Sequence, residues 1–475
     1  MSYTEQIHTS PATVLELQYA PQGAIRNSDT QELDRGANAQ ELKPVDRGRD
    51  AWVVLIAAVV FEAMFWGFPM CFGVFQDYYS ALPAFRTDAS RVALIGTVAQ
   101  GTTYLGAPIS ALVTKKYPHY RQWQIRFGWP LCILGLLAAS FASTVPVLIA
   151  TQGFLYGFGF VTLTYPIISM LNEWWVARKG MAFGLISASS GLTGTFMPFV
   201  MDTMLQRFGY TTTLRACAIA LLVLTAPLLP LLKARLPVSD NSSARQLART
   251  DWSFLRKGLF WVYAGAVLVQ GLGFFFPIVF ITSYASAVGI SSTLAAALLA
   301  LMSAAQVLGQ FAFGYLSDRS SSGSGGSGAG RRSLGVGVLA GLCCMVAGGA
   351  ALGLWGAVGT SMAALSVFSL VYGFFGFGFG TMRVAMGRAV GNDDPSALFA
   401  LYAIFVFLQG VGNIFTGPLS AVLLGEGDQT GVDKDEYGVG RYKDVVIVTG
   451  GTSLLAALII GSWHGYQNLV KMASR

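Results

Sequence analysis

The chain consists mainly of long apolar runs separated by short polar stretches. Twelve such runs follow the first fifty residues, and each is close to the ~20 residues that an α-helix needs to cross a bilayer. The predicted runs cover residues 52–75, 92–113, 123–143, 146–168, 180–201, 212–232, 259–283, 293–315, 334–356, 361–383, 398–424 and 445–466. Because a backbone in lipid must satisfy its own hydrogen bonds, the pattern predicts an all-α polytopic membrane protein.

The longest polar stretch between runs divides the twelve into two sets of six. It covers 233–257, which we interpret as a cytosolic linker between an N-terminal half at 51–232 and a C-terminal half at 258–466. Residues 1–50 are polar, mixed in charge and without periodicity, which predicts a disordered cytosolic tail and not a signal peptide. Residues 467–475 are predicted to form a cytosolic C-terminus.

Composition and charge agree with this class. Charged residues make up 12% of the chain, against about 25% in a soluble domain. Basic residues concentrate in the loops on the side of the tail, so both termini are predicted to be cytosolic. The net charge of +7 is then a topology signal, and no nucleic-acid partner is expected. The five cysteines all lie in apolar runs, so neither a disulfide framework, a metal site nor a cofactor is predicted.

The most distinctive pattern lies between Asn172 and Pro198. Two tryptophans precede a basic pair, and a helix with small residues at every third or fourth position follows. In lipid such a face lets two helix backbones pack by close approach. The residues of this pattern are Trp174, Trp175, Arg178, Lys179, Gly180, Gly184, Ala188, Gly191 and Gly194. The run W-W-x-x-R-K-G-x-A-x-G resembles the signature of the monocarboxylate transporter family, within the major facilitator superfamily, and its fungal branch above all.

This resemblance implies a major facilitator fold, with twelve transmembrane helices in two pseudo-symmetric six-helix halves. Animal members carry an Asp/Arg pair in the eighth helix and a lysine in the first, which serve proton and carboxylate binding. Here the eighth run offers only Gln306 and Gln310, and the first has an acid and no lysine. No fixed cation is therefore expected near mid-membrane. An aromatic, amide-rich lining favours an amphipathic, ring-bearing cargo over lactate or pyruvate.

The acid of the first run is Glu62, ten residues after Trp52 and so ~15 Å along the helix axis. A carboxylate near mid-bilayer costs several kcal/mol unless it is protonated, paired or facing water. Glu62, Trp66 and Pro69 share one helix face. The spacing predicts a proton or substrate site facing a central cavity. A protonated carboxyl that is hydrogen-bonded within the bundle is the structural alternative.

The seventh run repeats part of this pattern. Gln270 stands seven residues before Pro277, just as Glu62 stands seven before Pro69. If the halves are related by a pseudo-two-fold axis, Glu62 and Gln270 should face each other across the cavity. The other polar or aromatic residues predicted to line the cavity are Trp66, Gln100, Tyr104, Tyr156, Phe274, Tyr372, Arg383 and Gln409. Arg383 is placed at the cytosolic end of the tenth run, where reaching to headgroups is the alternative.

A charged loop follows the eighth run. It contains Gly314, Asp318 and Arg319, then a Ser/Gly-rich insert, then Arg331 and Arg332. The pattern resembles the G-x-x-x-D-R…R-R cytoplasmic motif of the superfamily. Asp318 is predicted to pair with these arginines and with helix ends, which would hold one gating conformation. The equivalent loop after the second run lacks an acid, so the two halves should be joined asymmetrically.

These observations predict a secondary active transporter of a small organic metabolite, with export of a fungal secondary metabolite as the favoured version. Proton coupling, a plasma-membrane location and a monomeric state are expected. Proton-linked uptake of short monocarboxylates and a nutrient sensor that does not translocate are the alternatives. An enzyme is not expected, because none of the three histidines is placed with an acid and a nucleophile in the membrane.

Overall fold

The computed structural model describes residues 43–236, 251–322, 335–392, 394–424 and 437–473. Its α-helices are α1 Arg49–Ala81, α2 Ala89–Leu105, α3 Ala107–Lys116, α4 Arg121–Ala139, α5 Val145–Leu148, α6 Tyr156–Trp174, α7 Lys179–Thr225, α8 Gly258–Phe274, α9 Phe276–Val288, α10 Ser292–Ser322, α11 Val336–Ala350, α12 Met362–Gly391, α13 Pro395–Ile414, α14 Thr416–Leu424 and α15 Lys443–Ala473. Two π-helical stretches, Ile149–Leu155 and Ala351–Ala357, follow α5 and α11. Strands are absent from the described residues.

Nine helical stretches in the described part of the chain are long and apolar enough to cross a membrane. One of them, Lys179–Leu231, contains both the fifth and the sixth predicted runs. The second and third runs are also helical, as α2 with α3 and as α4. Helices therefore lie at all twelve predicted places, while the count of twelve membrane passes and the division at 233–257 stay predictions.

The chain reverses direction inside α7, at Gly209. The sulfur atoms of Met201 and Cys217 lie 3.5 Å apart, although sixteen residues of continuous helix would separate them by ~24 Å. Gly209 has φ 74° and ψ 169°, a conformation that residues with a Cβ rarely adopt. A glycine at this position therefore makes the sharp turn between the first arm of α7, residues 179–208, and the second, residues 210–225.

The first arm of α7 packs against α10 through its small residues. A Cβ added at Gly180 would lie 2.5 Å from the Gly314 carbonyl oxygen, and one at Gly184 would lie 2.8 Å from that of Gln310. Further along, a Cβ at Gly191 would lie 3.0 Å from the Ser303 carbonyl. The two backbones are thus in direct contact over about three turns, as the spacing of small residues predicted.

The buried apolar side chains form three clusters. One is built almost wholly from residues 51–232 and is joined by four residues of α12 and α13. The other two are built from residues of the second half of the chain, between 254 and 460. The contacts of α7 with α10, and of α2 and α3 with α13, therefore join two separately packed sets of helices.

We expect Gly209→Ala to destabilise the protein by about 1–3 kcal/mol, because a Cβ is strained at this φ and ψ. The measurement is the thermal unfolding of the detergent-solubilised protein. Gly349→Ala is the matched control, since Gly349 is helical and nothing lies within 4 Å of an added Cβ. Equal unfolding temperatures for the two variants would contradict the strained turn.

Candidate functional site

A cavity of about 110 Å³ lies between the two sets of helices. Six of the residues predicted to line it do so, namely Glu62, Trp66, Tyr104, Phe274, Arg383 and Gln409. They come from α1, α2, α8, α12 and α13, so five helices from both halves of the chain bring them together. The cavity holds both a carboxyl and a guanidinium group in a largely aromatic wall.

Arg383 is among the residues predicted to line the cavity, and it places a guanidinium group in the cavity wall. α12 does not end at Arg383 but continues for eight residues to Gly391, so the arginine lies two turns inside the helix. Its Nη1 donates to Oε1 of Gln409, and its Nε donates to the Gly380 carbonyl at 2.6 Å. The tenth predicted run ends at Arg383 because a charged side chain is costly in lipid. An arginine can lie inside a span, however, when it faces a protein cavity instead of lipid.

Glu62 is buried on the α1 side of the same cavity, with 5% of its surface exposed, beside the side chains of Trp66 and Thr164. Three tyrosines, Tyr104, Tyr165 and Tyr402, each interact electrostatically with both Glu62 and Arg383. Within the described residues no ion pair joins Glu62 to Arg383. The carboxyl of Glu62 and the guanidinium of Arg383 therefore share one cavity without a direct ion pair.

Four predicted lining residues, Gln100, Tyr156, Gln270 and Tyr372, do not line the cavity. The hydroxyl of Tyr156 donates to the Phe65 carbonyl at 2.5 Å, and that of Tyr372 donates to the Phe274 carbonyl at 3.2 Å. Gln270 is 2% exposed and does not face Glu62 across the cavity. The matched proline spacing predicted the level of Gln270 along its helix, but spacing alone does not fix rotation about the helix axis.

Gln306 and Gln310 of α10 line the cavity, although they are not among the residues predicted to do so. Nε2 of Gln306 donates to Oγ of Ser190 on α7 at 3.2 Å and lies 3.5 Å from Oε1 of Gln310. An uncharged polar residue in an apolar run carries a weak signal by itself. The position of Gln306 along α10, relative to the residues that face the small residues of α7, would have indicated the contact with Ser190.

Asp318 at the end of α10 binds the beginning of α7, on the side that the basic residues assign to the cytosol. Its Oδ1 accepts from the Gly180 N–H and its Oδ2 from the Met181 N–H, both at 2.7 Å. Nη1 of Arg388 lies 3.3 Å from Oδ1. A carboxylate at a helix N-terminus satisfies free N–H groups and meets the positive end of the helix dipole.

Of the predicted arginine partners of Asp318, Arg319 contacts a different side chain in the structure. Arg319 stacks on the ring of Tyr315, 4.6 Å from its centre, and donates to the Tyr315 hydroxyl at 2.6 Å. Arg319 follows Asp318 directly in α10, so its side chain leaves the helix in another direction. The partner that the structure shows is Arg388 of α12, while Arg331 and Arg332 lie outside the described residues.

The corresponding contact between α3 and α13 has different chemistry. Nζ of Lys115 donates to the carbonyl and the hydroxyl of Ser396, at 3.2 and 2.5 Å. Asp394 caps the same helix by accepting from the N–H groups of Ser396 and Ala397, at 2.9 and 3.2 Å. Here the helix start carries its own acid and the opposite half supplies a cation, which is the reverse of the α7–α10 contact.

The signature residues before α7 hold the loop that positions its first turn. Trp174 donates to the Lys233 carbonyl at 2.8 Å, and Trp175 is fully buried against Trp52. The N–H groups of residues 176, 177 and 178 all donate to the Asp46 carboxylate, at 2.9–3.0 Å. Arg178 and Lys179 therefore stand where one carboxylate, Asp46, holds the loop and another, Asp318, binds the first turn of α7. Gly184 lies one turn further on, on the face against α10.

The model of the Major Facilitator Superfamily matches residues 52–417. The chain belongs to this superfamily. It is 24% identical to the MFS transporter asaE of Aspergillus flavus over 453 residues, which cover 95% of this chain and 96% of that protein. It is 28% identical to the MFS-type transporter pynF of Aspergillus niger over 60% of this chain and 64% of that protein. It is 25% identical to Monocarboxylate transporter 12 of Xenopus laevis over 86% of this chain and 88% of that protein.

A solved structure shows the same fold. A bacterial homologue of the iron transporter ferroportin, in an outward-facing state with soaked iron, aligns with a TM-score of 0.59 at 13% identity and covers 88% of this chain. The predicted resemblance and the all-α major facilitator architecture are thereby confirmed. The protein is a multi-pass membrane transporter and not an enzyme.

Asp318→Asn should weaken the contact between α7 and α10, because an amide replaces one of the two acceptor oxygens with a donor and removes the charge. We expect a roughly tenfold fall in transport, in line with ~1–3 kcal/mol of coupling between states. Arg319→Gln is the control, since it changes the adjacent charge but not this contact. Shortening the insert between 320 and 330 should also matter little. Transport losses as large in either control would contradict the assignment.

Proposed function

We propose that this protein exports a small amphipathic metabolite with an aromatic or other ring and an acidic group, by alternating access. A fungal secondary metabolite is the cargo class that we favour. The observation that carries the proposal is the placement of Arg383 with Glu62 in one cavity between the two sets of helices. Relatives from two Aspergillus species named as MFS-type transporters support the transport class.

The cavity chemistry favours this cargo. The aromatic side chains of Trp66, Phe274 and Phe377 offer flat apolar surface to a ring. The guanidinium of Arg383 offers charge-assisted hydrogen bonds to a carboxylate, and Gln409 already holds it in place through Nη1. A cargo with both features would bind each part of the wall, whereas a wholly apolar molecule would leave the arginine unused.

Proton-linked uptake of short monocarboxylates is the second candidate. Arg383 favours it, because a fixed cation suits a small carboxylate, and 25% identity to Monocarboxylate transporter 12 adds support. The aromatic wall is its weakness, since acetate and lactate have little apolar surface to bury. A nutrient sensor would bind the same ligands without moving them, so flux and binding must be measured separately.

The closed cytosolic contacts support alternating access. α10 is bound to α7 through Asp318, and α3 is bound to α13 through Lys115, both on the side assigned to the cytosol. These contacts are formed by groups from opposite halves of the chain, so opening that side requires that both are released.

We further propose a plasma-membrane location and a monomeric state, in which one chain contains the whole cavity.

Uptake into proteoliposomes distinguishes the cargo classes. We expect labelled benzoate, a ring-bearing carboxylate, to be transported in preference to labelled acetate, lactate and pyruvate. Arg383→Gln should reduce benzoate flux by about 10- to 100-fold, because one charge-assisted bond is worth ~1.5–3 kcal/mol. Arg319→Gln controls for loss of a positive charge elsewhere. Preference for acetate or lactate would support the second candidate, and benzoate binding without flux would support the sensor.

Glu62→Gln tests proton coupling. An ionised carboxylate is disfavoured at this depth, so Glu62 can take up and release a proton as the cavity opens to either side. The amide mimics the protonated form, so the variant should still bind cargo but should lose the acceleration of flux by an imposed pH gradient. Asp202→Asn, an exposed carboxylate at the opposite end of the first arm of α7, is the control. An equal gradient response in wild type and Glu62→Gln would show that Glu62 is a structural carboxyl.

A further inference from the structure

Two buried tyrosine hydroxyls bind main-chain carbonyls beside the two prolines of α1 and of α8–α9. Pro69 has no N–H, so the Phe65 carbonyl, four residues earlier, loses its helical donor. Tyr156 of α6 donates to that carbonyl at 2.5 Å. Since an unsatisfied carbonyl in the bilayer interior costs several kcal/mol, this hydroxyl replaces the hydrogen bond that proline removes.

The same arrangement recurs in the other half. α8 ends at Phe274, three residues before Pro277, and the carbonyl groups of a last helical turn lack donors of their own. Tyr372 of α12 donates to the Phe274 carbonyl at 3.2 Å. Both tyrosines are completely buried. Each hydroxyl therefore binds a carbonyl at the proline site of its half. Phe65 is the residue whose carbonyl Pro69 deprives of a donor, whereas Phe274 lies one residue after the corresponding position before Pro277.

Each tyrosine also lies directly behind an aromatic wall of the cavity. One turn beyond Tyr156, the ring of Phe160 lies 5.3 Å from that of Trp66, and both rings line the cavity. One turn beyond Tyr372, the ring of Phe377 lies 4.8 Å from that of Phe274, and both again line the cavity. In each half, the hydrogen bond of the tyrosine hydroxyl and the contact between the two aromatic rings join the helix that carries the tyrosine to the helix that proline interrupts.

The two arrangements differ in how far proline interrupts the helix. α1 continues through Pro69 as one helix of 33 residues, whereas the chain at Pro277 is divided into α8 and α9 at Phe275. Because the backbone is already divided there, the break between α8 and α9 is the one that depends more on its side-chain hydrogen bond, although that bond is the longer of the two, at 3.2 Å against 2.5 Å.

We propose that Tyr156 and Tyr372 are matched positioning residues, whose hydroxyls fix the proline sites of α1 and α8–α9 and thereby the aromatic walls of the cargo cavity. They do not touch cargo themselves, since neither lines the cavity. The proposal requires only that the cavity is the transport route, and it holds for any cargo that the protein carries.

The test uses a thiol reagent in place of the unidentified cargo. Single cysteines are introduced at two lining positions, Met70→Cys on α1 and Phe275→Cys at the α8–α9 break. The rate of modification by a membrane-impermeant methanethiosulfonate is measured in proteoliposomes, and the unmodified sequence gives the background from the native cysteines. Tyr156→Phe and Tyr372→Phe are then added one at a time, because phenylalanine keeps the ring and removes only the hydroxyl.

We expect a crossed result. Tyr372→Phe should change the modification rate at position 275 by about fivefold or more, the scale of one lost buried hydrogen bond, and leave position 70 unchanged. Tyr156→Phe should change the modification rate at position 70, by a smaller factor, and leave the rate at position 275 unchanged. Tyr284→Phe is the matched control, because its buried hydroxyl also donates to a carbonyl, that of Trp355 at 3.1 Å, away from the cavity.

Thermal unfolding of each variant separates positioning from general stability. The three Tyr→Phe variants should lose similar stability, while only Tyr156→Phe and Tyr372→Phe should change a modification rate. The proposal is overturned if Tyr284→Phe changes the rates as much as Tyr372→Phe does. It is also overturned if Tyr156→Phe and Tyr372→Phe each change the modification rates at positions 70 and 275 equally, or if neither variant changes either rate.

Discussion

A backbone N–H or C=O that is buried in lipid without a partner costs several kcal/mol, and this constraint explains where the polar contacts of the protein lie. The first turn of α7 leaves N–H groups free, and the carboxylate of Asp318 accepts from two of them. Helical hydrogen bonding is interrupted at the proline sites, and Tyr156 and Tyr372 donate to carbonyls there. Elsewhere the helices pack through apolar side chains and, at several glycines, through direct backbone contact, as between α7 and α10.

The contact between α7 and α10 links the cytosolic side to the cavity. α10 carries Asp318 at one end and the cavity residues Gln306 and Gln310 two to three turns away, on a single rigid helix. α12 likewise carries Arg388, which pairs with Asp318, one turn from Arg383 in the cavity. A change in the charge or occupancy of the cavity therefore acts on the same helices that close the cytosolic side. This connection is the physical basis that we propose for alternating access.

The helices and the small-residue face of α7 were predictable, because length, apolarity and spacing determine both. Glu62 was predictable as a cavity residue, because a carboxylate at that depth needs a special environment. Arg383 was also predicted to line the cavity, but its place two turns inside α12 was not predictable, since the apolar run continues beyond the charge. The roles of Tyr156 and Tyr372 required knowledge of which carbonyls at the proline sites lack a helical donor. The partner of Asp318 depended on α12, whose approach to α10 no local pattern reveals.

The most direct test of the account measures both ends of the α7–α10 pair in lipid nanodiscs. One pair of spin labels replaces Val176 and Tyr315 on the cytosolic side, and the other replaces Phe208 and Leu294 at the opposite ends of the same two helices; all four side chains are exposed. Alternating access predicts reciprocal distance distributions, in which conditions that lengthen the distance between the labels at 176 and 315 shorten the distance between the labels at 208 and 294. Distances that lengthen together, or a single unchanging distance at both ends, would contradict alternating access through this contact.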